Sequence, residues 1–171
     1  MGNVANLRLA GIVDESIVDG PGVRFTIFTQ GCHRACPGCH NPETQSFSGG
    51  FEIGIDEILQ MIDRNPLLAG VTFSGGEPFL QASPLAELAI ECHARQLSVM
   101  AYSGYRFEEL LDGSRADWRD LLGQIDILVD GPYMESERSL ALRFRGSRNQ
   151  RIIAVPESLR NGTVVLVPEL N

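Results

Sequence analysis

The distribution of apolar positions along the chain predicts strands and helices that alternate. Residues 23–29 alternate β-branched and aromatic side chains between glycine-containing turns, which is typical of a strand. Apolar residues then recur at positions three and four apart over 55–62, and Pro66 ends this run, so the segment is predicted to form a helix. A short strand at 71–73 is expected to follow this helix.

The second half of the chain continues the same alternation. A helix is expected to start at Ser83, which can cap it, with Pro84 in the first turn, where the missing N–H costs little. Residues 97–102 and 125–129 have the pattern of strands, and 107–122 that of an interrupted helix.

This order of elements favours an α/β fold with a parallel sheet and helical crossovers. A closed eight-unit barrel typically needs about 250 residues, and the chain has 171. We therefore predict a single domain over residues 1–171, built as a partial, open βα barrel or an open twisted sheet. In both architectures ligands bind at the carboxyl ends of the strands. Two apolar segments within residues 150–166 have no predicted place in the sheet.

Composition and charge exclude several classes of function. The formal net charge is -8 and the isoelectric point is about 4.8, so neither nucleic acid nor an anionic membrane is an expected partner. All 14 basic residues are arginine, which excludes a Schiff-base lysine, a pyridoxal-phosphate anchor and a phosphate-binding-loop lysine. Because no apolar stretch is long enough to span a membrane and the N-terminus lacks a leader pattern, a cytoplasmic location is expected.

The arginines are distributed unevenly. Five of them fall in one stretch of 14 residues: Arg138, Arg143, Arg145, Arg148 and Arg151. A local cationic patch on an acidic protein and an ordinary solvated loop both agree with this pattern.

Three of the four cysteines lie in a loop without periodicity, at residues 30–50. Cys32, Cys36 and Cys39 have the spacing C-x3-C-x2-C, and clustered thiols in a cytosolic chain more often bind metal than form disulfides. Cys92 lies on the apolar stripe of a predicted helix, which is typical of a buried core thiol. Iron-sulfur clusters of the cubane type usually take four cysteines, so three ligands would leave one iron free to bind a substrate.

Two other metal sites also agree with these cysteines. A structural zinc site could use His33 or His40 as a fourth ligand. An electron-transfer iron-sulfur protein would need a fourth cysteine ligand.

The cysteine loop also resembles a known family. The segments Gly20-Pro21-Gly22-Val23-Arg24 and Gly31-Cys32 through Cys36-Pro37-Gly38-Cys39-His40-Asn41 resemble the radical S-adenosylmethionine activating enzymes of glycyl-radical proteins. Within that group, further segments resemble the proteins that activate anaerobic ribonucleoside-triphosphate reductases. These segments are Ser74-Gly75-Gly76-Glu77-Pro78, Tyr102-Ser103-Gly104-Tyr105, Leu128-Val129-Asp130-Gly131 and Arg145-Gly146-Ser147-Arg148-Asn149-Gln150.

The resemblance implies a fold of the radical S-adenosylmethionine type and a definite chemistry. Cys32, Cys36 and Cys39 would hold a 4Fe-4S cluster, and S-adenosylmethionine would chelate the fourth iron. Reductive cleavage of that cofactor would generate a glycyl radical on the large subunit of an anaerobic (class III) ribonucleotide reductase. The electron would come from a one-electron donor such as flavodoxin or ferredoxin, and no side chain of the chain is expected to act as a general base.

The resemblance also implies which residues bind the cofactor. Gly75 and Gly76 would let the backbone approach a charged ligand closely, leaving space for it, and Glu77 would help to neutralise its ammonium group. Gly38 and His40 flank Cys39 and would lie near the adenine. Asp130, at a strand end, could accept from the ribose, but capping a helix or forming a turn explains it as well.

Two other enzymatic functions share the cysteine pattern and stay open. One is the activation of a different glycyl-radical enzyme. The other is the chemistry of a small radical lyase such as 7-carboxy-7-deazaguanine synthase.

Overall fold

The computed structural model describes residues 5–171. The strands in this part of the chain are β1 (Asn6–Ser16), β2 (Arg24–Thr29), β3 (Phe51–Gly54), β4 (Gly70–Gly75), β5 (Ser98–Tyr102), β6 (Ile127–Asp130) and β7 (Arg151–Ala154). The helices are α1 (Ile55–Asp63), α2 (Ala82–Ala94), α3 (Phe107–Asp112), α4 (Ala116–Leu122) and α5 (Val155–Asn161). Residues 1–4, which belong to the predicted domain and to the N-terminus expected to lack a leader, lie outside the described residues.

All of these strands join one mixed sheet in the order β3-β1-β2-β4-β5-β6-β7. Strands β2, β4, β5 and β6 are parallel and follow one another in chain order, whereas the pairs β1–β2, β1–β3 and β6–β7 are antiparallel. Parallel crossovers share one hand, so the helices that connect these strands pack on the same face. Because β3 and β7 are the edges of the sheet, the barrel is open, and the predicted α/β class with a parallel, unclosed sheet is confirmed.

The two faces of the sheet have different roles, because successive side chains of a strand point in opposite directions. Alternate positions of the central strands belong to the core that the helices cover: Phe25, Ile27, Val71, Phe73, Val99 and Ala101. The next residue along each of these strands points to the opposite face and lines a cavity there: Phe28 in β2, Ser74 in β4 and Tyr102 in β5. The cavity therefore lies on the face of the parallel strands opposite the helix-covered core.

A buried arginine fixes the other end of the parallel strands. Arg24, the first residue of β2, donates to Thr72 Oγ1 over 3.0 Å, to Ser98 Oγ over 2.6 Å and to the carbonyl of Val71 over 2.6 Å. Burial lowers the pKa of Arg24 to about 10. These bonds tie β2, β4 and β5 together at the edge remote from the cysteine loop, so Arg24 has a structural role.

Some boundaries differ from those expected. Strands β1 and β3 were not predicted, and β7 occupies part of the segment that had no predicted place. The α2 helix begins at Ala82, so Ser83 lies inside its first turn and the expectation that it caps the helix is wrong. The physical reason is a preceding 3-10 turn at Pro78–Gln81, which is capped by the Glu77 side chain and leads directly into α2.

No helix within residues 5–171 has both the length and the apolar character that a membrane crossing requires.

Candidate functional site

The loops that follow the parallel strands meet around one cavity of about 660 Å³. The cysteine loop follows β2, residues 74–75 end β4 and residues 76–77 follow it, residues 103–104 follow β5, and residues 131–150 follow β6. Carboxyl ends of parallel strands share one edge of a sheet, which is why segments far apart in sequence converge here.

The three clustered thiols lie together at this cavity. Cys32, Cys36 and Cys39 are half-buried, free and all line the cavity, whereas Cys92 is fully buried on the helix-covered side. Backbone bonds fix the loop: the Cys32 N–H donates to the carbonyl of Gln45 over 3.1 Å, and the Cys39 N–H donates to that of Cys36 over 3.1 Å. The structure thus places the three predicted ligands on the wall of one cavity and the fourth cysteine in the core.

The chemistry of this donor set fits an iron-sulfur cluster. Thiolates are the ligands that such clusters use. Burial, together with the neighbouring charges of Glu77, Cys36 and Cys39, raises the pKa of Cys32, so a free thiolate is disfavoured there until a cation balances it. Within residues 5–171, no three His, Cys, Asp or Glu side chains converge on a point that would suit a single metal ion.

The two histidines of the loop contact aromatic rings. His33 packs on Phe47 with ring centroids 4.6 Å apart, and His40 packs on Tyr133 at 4.8 Å. Of the two, His40 lines the cavity.

Gly75 and Gly76 line the cavity, but the space beside their Cα atoms, where a side chain would project, is filled by protein backbone. A Cβ on Gly76 would overlap the carbonyl oxygen of Gly31, and one on Gly75, where φ is +93°, would overlap the backbone of Phe28 and Thr29. The Cβ positions of both glycines therefore face protein backbone, and the close approach of their backbone to a ligand stays a prediction. They let the end of β4 pack directly against β2 and the start of the cysteine loop.

Glu77 is buried and is bonded on both carboxyl oxygens. Its Oε1 accepts from Ser103 Oγ over 2.9 Å and from the Phe79 N–H over 3.1 Å, and its Oε2 accepts from the Gly104 N–H over 2.8 Å. Burial raises the pKa of Glu77 to about 7, although these bonds and the nearby Arg34 favour the ionised form. Glu77 therefore joins the ends of β4 and β5 and brings a titratable carboxyl group to the cavity wall.

This burial predicts a pH dependence of folding. Because the folded-state pKa is above the ordinary value of 4.5, the folded chain keeps a proton that the unfolded chain releases between pH 4.5 and about 7. We expect the contribution of Glu77 to the free energy of unfolding to fall as the pH rises through this window. Denaturant titrations of the metal-free protein should show a shallower fall for Glu77→Gln, and the exposed control Glu87→Gln should keep the wild-type slope. Equal slopes for Glu77→Gln and the wild type would contradict the assignment.

Arg34, which lies between two of the cysteines, was not predicted to belong to the site. Its guanidinium lies 4.3 Å above the ring of Tyr105 and 3.9 Å from Glu109, and the side chain crosses Gly104 and lines the cavity. Its buried Nε has no hydrogen-bond partner within the described part of the chain. The sequence feature that could have indicated Arg34 is its position as a basic residue inside the loop that contains the three cysteines.

Gly38 and Asp130 were both expected to contact the cofactor, and neither lines the cavity. Gly38 has φ of +71° in the turn between Cys36 and Cys39, and a Cβ there would meet the carboxyl group of Glu135. The Asp130 carboxylate accepts from the Phe107 N–H over 2.7 Å, at the start of α3, and from Arg151 Nε over 3.0 Å. These contacts correspond to the capping alternative, and the ribose contact of Asp130 stays a prediction.

The Arg-Gly-Ser-Arg-Asn-Gln segment shapes the far wall of the cavity. Gln150 Oε1 accepts from the N–H groups of Gly146 and Ser147 over 2.9 and 3.1 Å, and its Nε2 donates to the carbonyl of Gly131 over 3.1 Å. The Gln150 side chain thus joins the two ends of the loop 131–150. Arg145 and other residues of this loop are held against the cavity as a result.

Comparisons with known proteins show which proteins this chain resembles. A family model described as a 4Fe-4S single cluster domain matches residues 18–153. The chain is 35% identical over 146 residues to the anaerobic ribonucleoside-triphosphate reductase-activating protein of Vibrio cholerae, covering 80% of this chain and 90% of that protein. The protein of the same name from Pasteurella multocida is 37% identical, with the same coverage of both chains.

Two further similarities are more limited. The pyruvate formate-lyase-activating enzyme of Clostridium pasteurianum is 37% identical over 82% of this chain and 59% of its own length. The crystal structure of QueE from Escherichia coli aligns with 58% of this chain and 52% of its own, with a TM-score of 0.45 and 16% identity, a likeness too partial to indicate function. The match over most of its length shows that the chain belongs to the 4Fe-4S single cluster domain family, together with the anaerobic ribonucleoside-triphosphate reductase-activating proteins.

Proposed function

We propose that this chain is a radical S-adenosylmethionine activase that generates a glycyl radical on an anaerobic (class III) ribonucleoside-triphosphate reductase. One observation carries the proposal: three half-buried, free thiols of a single loop line the same cavity as the backbone of residues 75–77. The names of the relatives from Vibrio cholerae and Pasteurella multocida support the reductase as the partner.

Cys32, Cys36 and Cys39 would hold a 4Fe-4S cluster at this cavity. Because Cys92 lies in the helix-covered core, the loop offers three thiols and leaves one iron for S-adenosylmethionine. When bound, the cluster would supply one electron to that cofactor, which would split into methionine and a deoxyadenosyl radical, and this radical would take a hydrogen atom from a glycine of the partner.

The walls of the cavity offer groups suited to the two ends of S-adenosylmethionine. The methionine end carries an ammonium and a carboxylate group, and the cavity presents Glu77 as well as the cations Arg34 and Arg145. His40, already packed on Tyr133, is the aromatic group that we propose for adenine. Gly75 and Gly76 would act by bringing the backbone of β4 against the cysteine loop, and Gly38 by forming the turn between two ligands.

The partners follow from this chemistry. A one-electron donor such as flavodoxin or ferredoxin would reduce the cluster, and free thiols in a cluster loop suit the reducing cytoplasm. The similarity to the pyruvate formate-lyase-activating enzyme of Clostridium pasteurianum favours a second candidate function, which is the activation of another glycyl-radical enzyme.

Reconstitution under anaerobic conditions tests the proposal. The protein should bind about four irons per chain, and adding S-adenosylmethionine should change the electron paramagnetic resonance spectrum of the reduced cluster. With a reductant and the reductase, methionine and 5'-deoxyadenosine should form together with a protein radical. A colourless protein that binds zinc instead, or iron without any response to S-adenosylmethionine, would contradict the proposal.

A further inference from the structure

Positive charge in this acidic chain is concentrated in one stretch that includes part of the cavity wall. The stretch 138–151 contains five arginines and no acidic residue, while the remaining sequence has nine arginines and all 22 acidic residues. The stretch thus carries +5 and the rest of the chain 9 minus 22, or -13, which gives the formal net charge of -8. A chain that repels anions as a whole therefore presents one cationic segment.

Three of these arginines, Arg138, Arg143 and Arg148, form what we call the arginine rim. All three are exposed, and within residues 5–171 no carboxylate lies within 4.0 Å of their guanidinium groups. The surface arginines Arg95 and Arg115, in contrast, pair with carboxylates at 2.8 and 2.6 Å. The charge of the arginine rim is therefore available to a partner.

The loop that carries the arginine rim also exposes apolar side chains. Leu140 is 90% exposed and Met134 is 41% exposed. Leu142 and Phe144 of the same loop line the cavity, so this loop also forms part of the cavity wall. Exposed apolar side chains among unpaired charges are typical of protein interaction sites.

Hydrogen bonds within the chain fix the base of this loop. In addition to the Gln150 bonds, the Met134 N–H donates to Ser147 Oγ over 3.1 Å and Asn149 Nδ2 donates to the carbonyl of Pro132 over 2.7 Å. Arg143 lies 5.5 Å from the ring centroid of Phe144. A preorganised loop loses less conformational entropy on binding than a flexible one.

We propose that residues 138–148, together with Met134, form a docking surface for an acidic segment of the polypeptide substrate, one that also carries apolar residues. The arginine rim would attract the acidic side chains, and Leu140 and Met134 would be covered by apolar ones. A nucleic acid would match the charge but not the apolar side chains, and the other surfaces of the chain would repel it. The inference rests on the proposed function, because it identifies how that polypeptide is held at the cavity.

A triple variant of the arginine rim tests binding of the reductase separately from cleavage of S-adenosylmethionine. We expect Arg138→Gln/Arg143→Gln/Arg148→Gln to raise the KM for the reductase by about tenfold, with kcat little changed. Added salt should raise the wild-type KM more than that of the variant, because exposed charges are screened. Iron content and the reductant-driven cleavage of S-adenosylmethionine without reductase should match the wild type, which shows that fold and site are intact.

The matched control is Arg64→Gln/Arg119→Gln/Arg160→Gln, which removes the same charge from exposed positions at α1, α4 and α5. It should leave the KM for the reductase near the wild-type value. Leu140→Ser, which alters an exposed side chain alone, should raise that KM with no loss of iron. An unchanged KM in the arginine-rim variant, or an equal rise in the control, would overturn the docking surface. A wild-type protein that cleaves S-adenosylmethionine but forms no radical on the reductase would instead contradict the proposed function.

Discussion

Replacing any one of Cys32, Cys36 and Cys39 with alanine is expected to abolish cluster assembly and all cleavage of S-adenosylmethionine. Each thiol lines the cavity from the same loop, and no other cysteine of the chain can take its place. Iron and sulfide analysis after anaerobic reconstitution measures the effect directly. The cluster should fall to background in all three variants, while circular dichroism stays close to that of the metal-free wild type.

Cys92→Ala is the matched control for these variants. Cys92 is fully buried, and burial raises the pKa of its thiol to about 12, so it stays protonated and is a poor metal ligand. We expect full iron content and a loss of about 1 kcal/mol of stability from the small cavity. Loss of iron in Cys92→Ala, or retention of a normal cluster in one of the loop variants, would contradict the three-ligand site.

Gly76→Val is expected to have the second-largest effect, and to act through the cysteine loop. An added side chain at this position would overlap the Gly31 carbonyl and crowd that of Thr44, which are backbone groups that hold the loop. The loop must move, at a cost of about 1 to 3 kcal/mol or more. We therefore expect loss of the cluster as well as of cofactor binding, measured as iron content and by calorimetry with S-adenosylmethionine.

Gly11→Val is the control for this substitution. A Cβ on Gly11, in β1, would meet no heavy atom within 4 Å, so the same chemical change should leave the iron content near the wild-type value. A Gly76→Val protein with a complete cluster would show that the packing of β4 against the cysteine loop is not needed for the site.

The parallel part of the fold was predictable because its signals are local. The run 23–29 and the helix at 55–62 each carry a clear period, and β2 and α1 lie within one residue of these bounds. Strand β1 was missed although Leu7 and Leu9 alternate with partly exposed residues. Its pattern covers few residues before Gly11 and two bulges interrupt its register with β2, so its pairing depends on tertiary context.

The site was predictable to the extent that its residues cluster in the sequence. The three cysteines and residues 75–77 are adjacent in short segments, and all line the cavity. Gln150 acts through bonds to residues 131, 146 and 147 that no periodicity indicates. Asp130 follows a strand as expected, but its carboxylate turns to α3 and Arg151, a direction that a sequence cannot specify.

The most direct test of the central claim follows the hydrogen atom that the proposed reaction removes. The reductase is prepared with glycine deuterated at its α-carbon and incubated anaerobically with this protein, S-adenosylmethionine and a one-electron donor. We expect a protein radical whose doublet, seen with ordinary glycine, collapses on deuteration, together with deuterium in the 5'-deoxyadenosine formed. Unlabelled 5'-deoxyadenosine with no radical on the reductase, or a reaction that proceeds equally on a free small heterocycle, would contradict that claim.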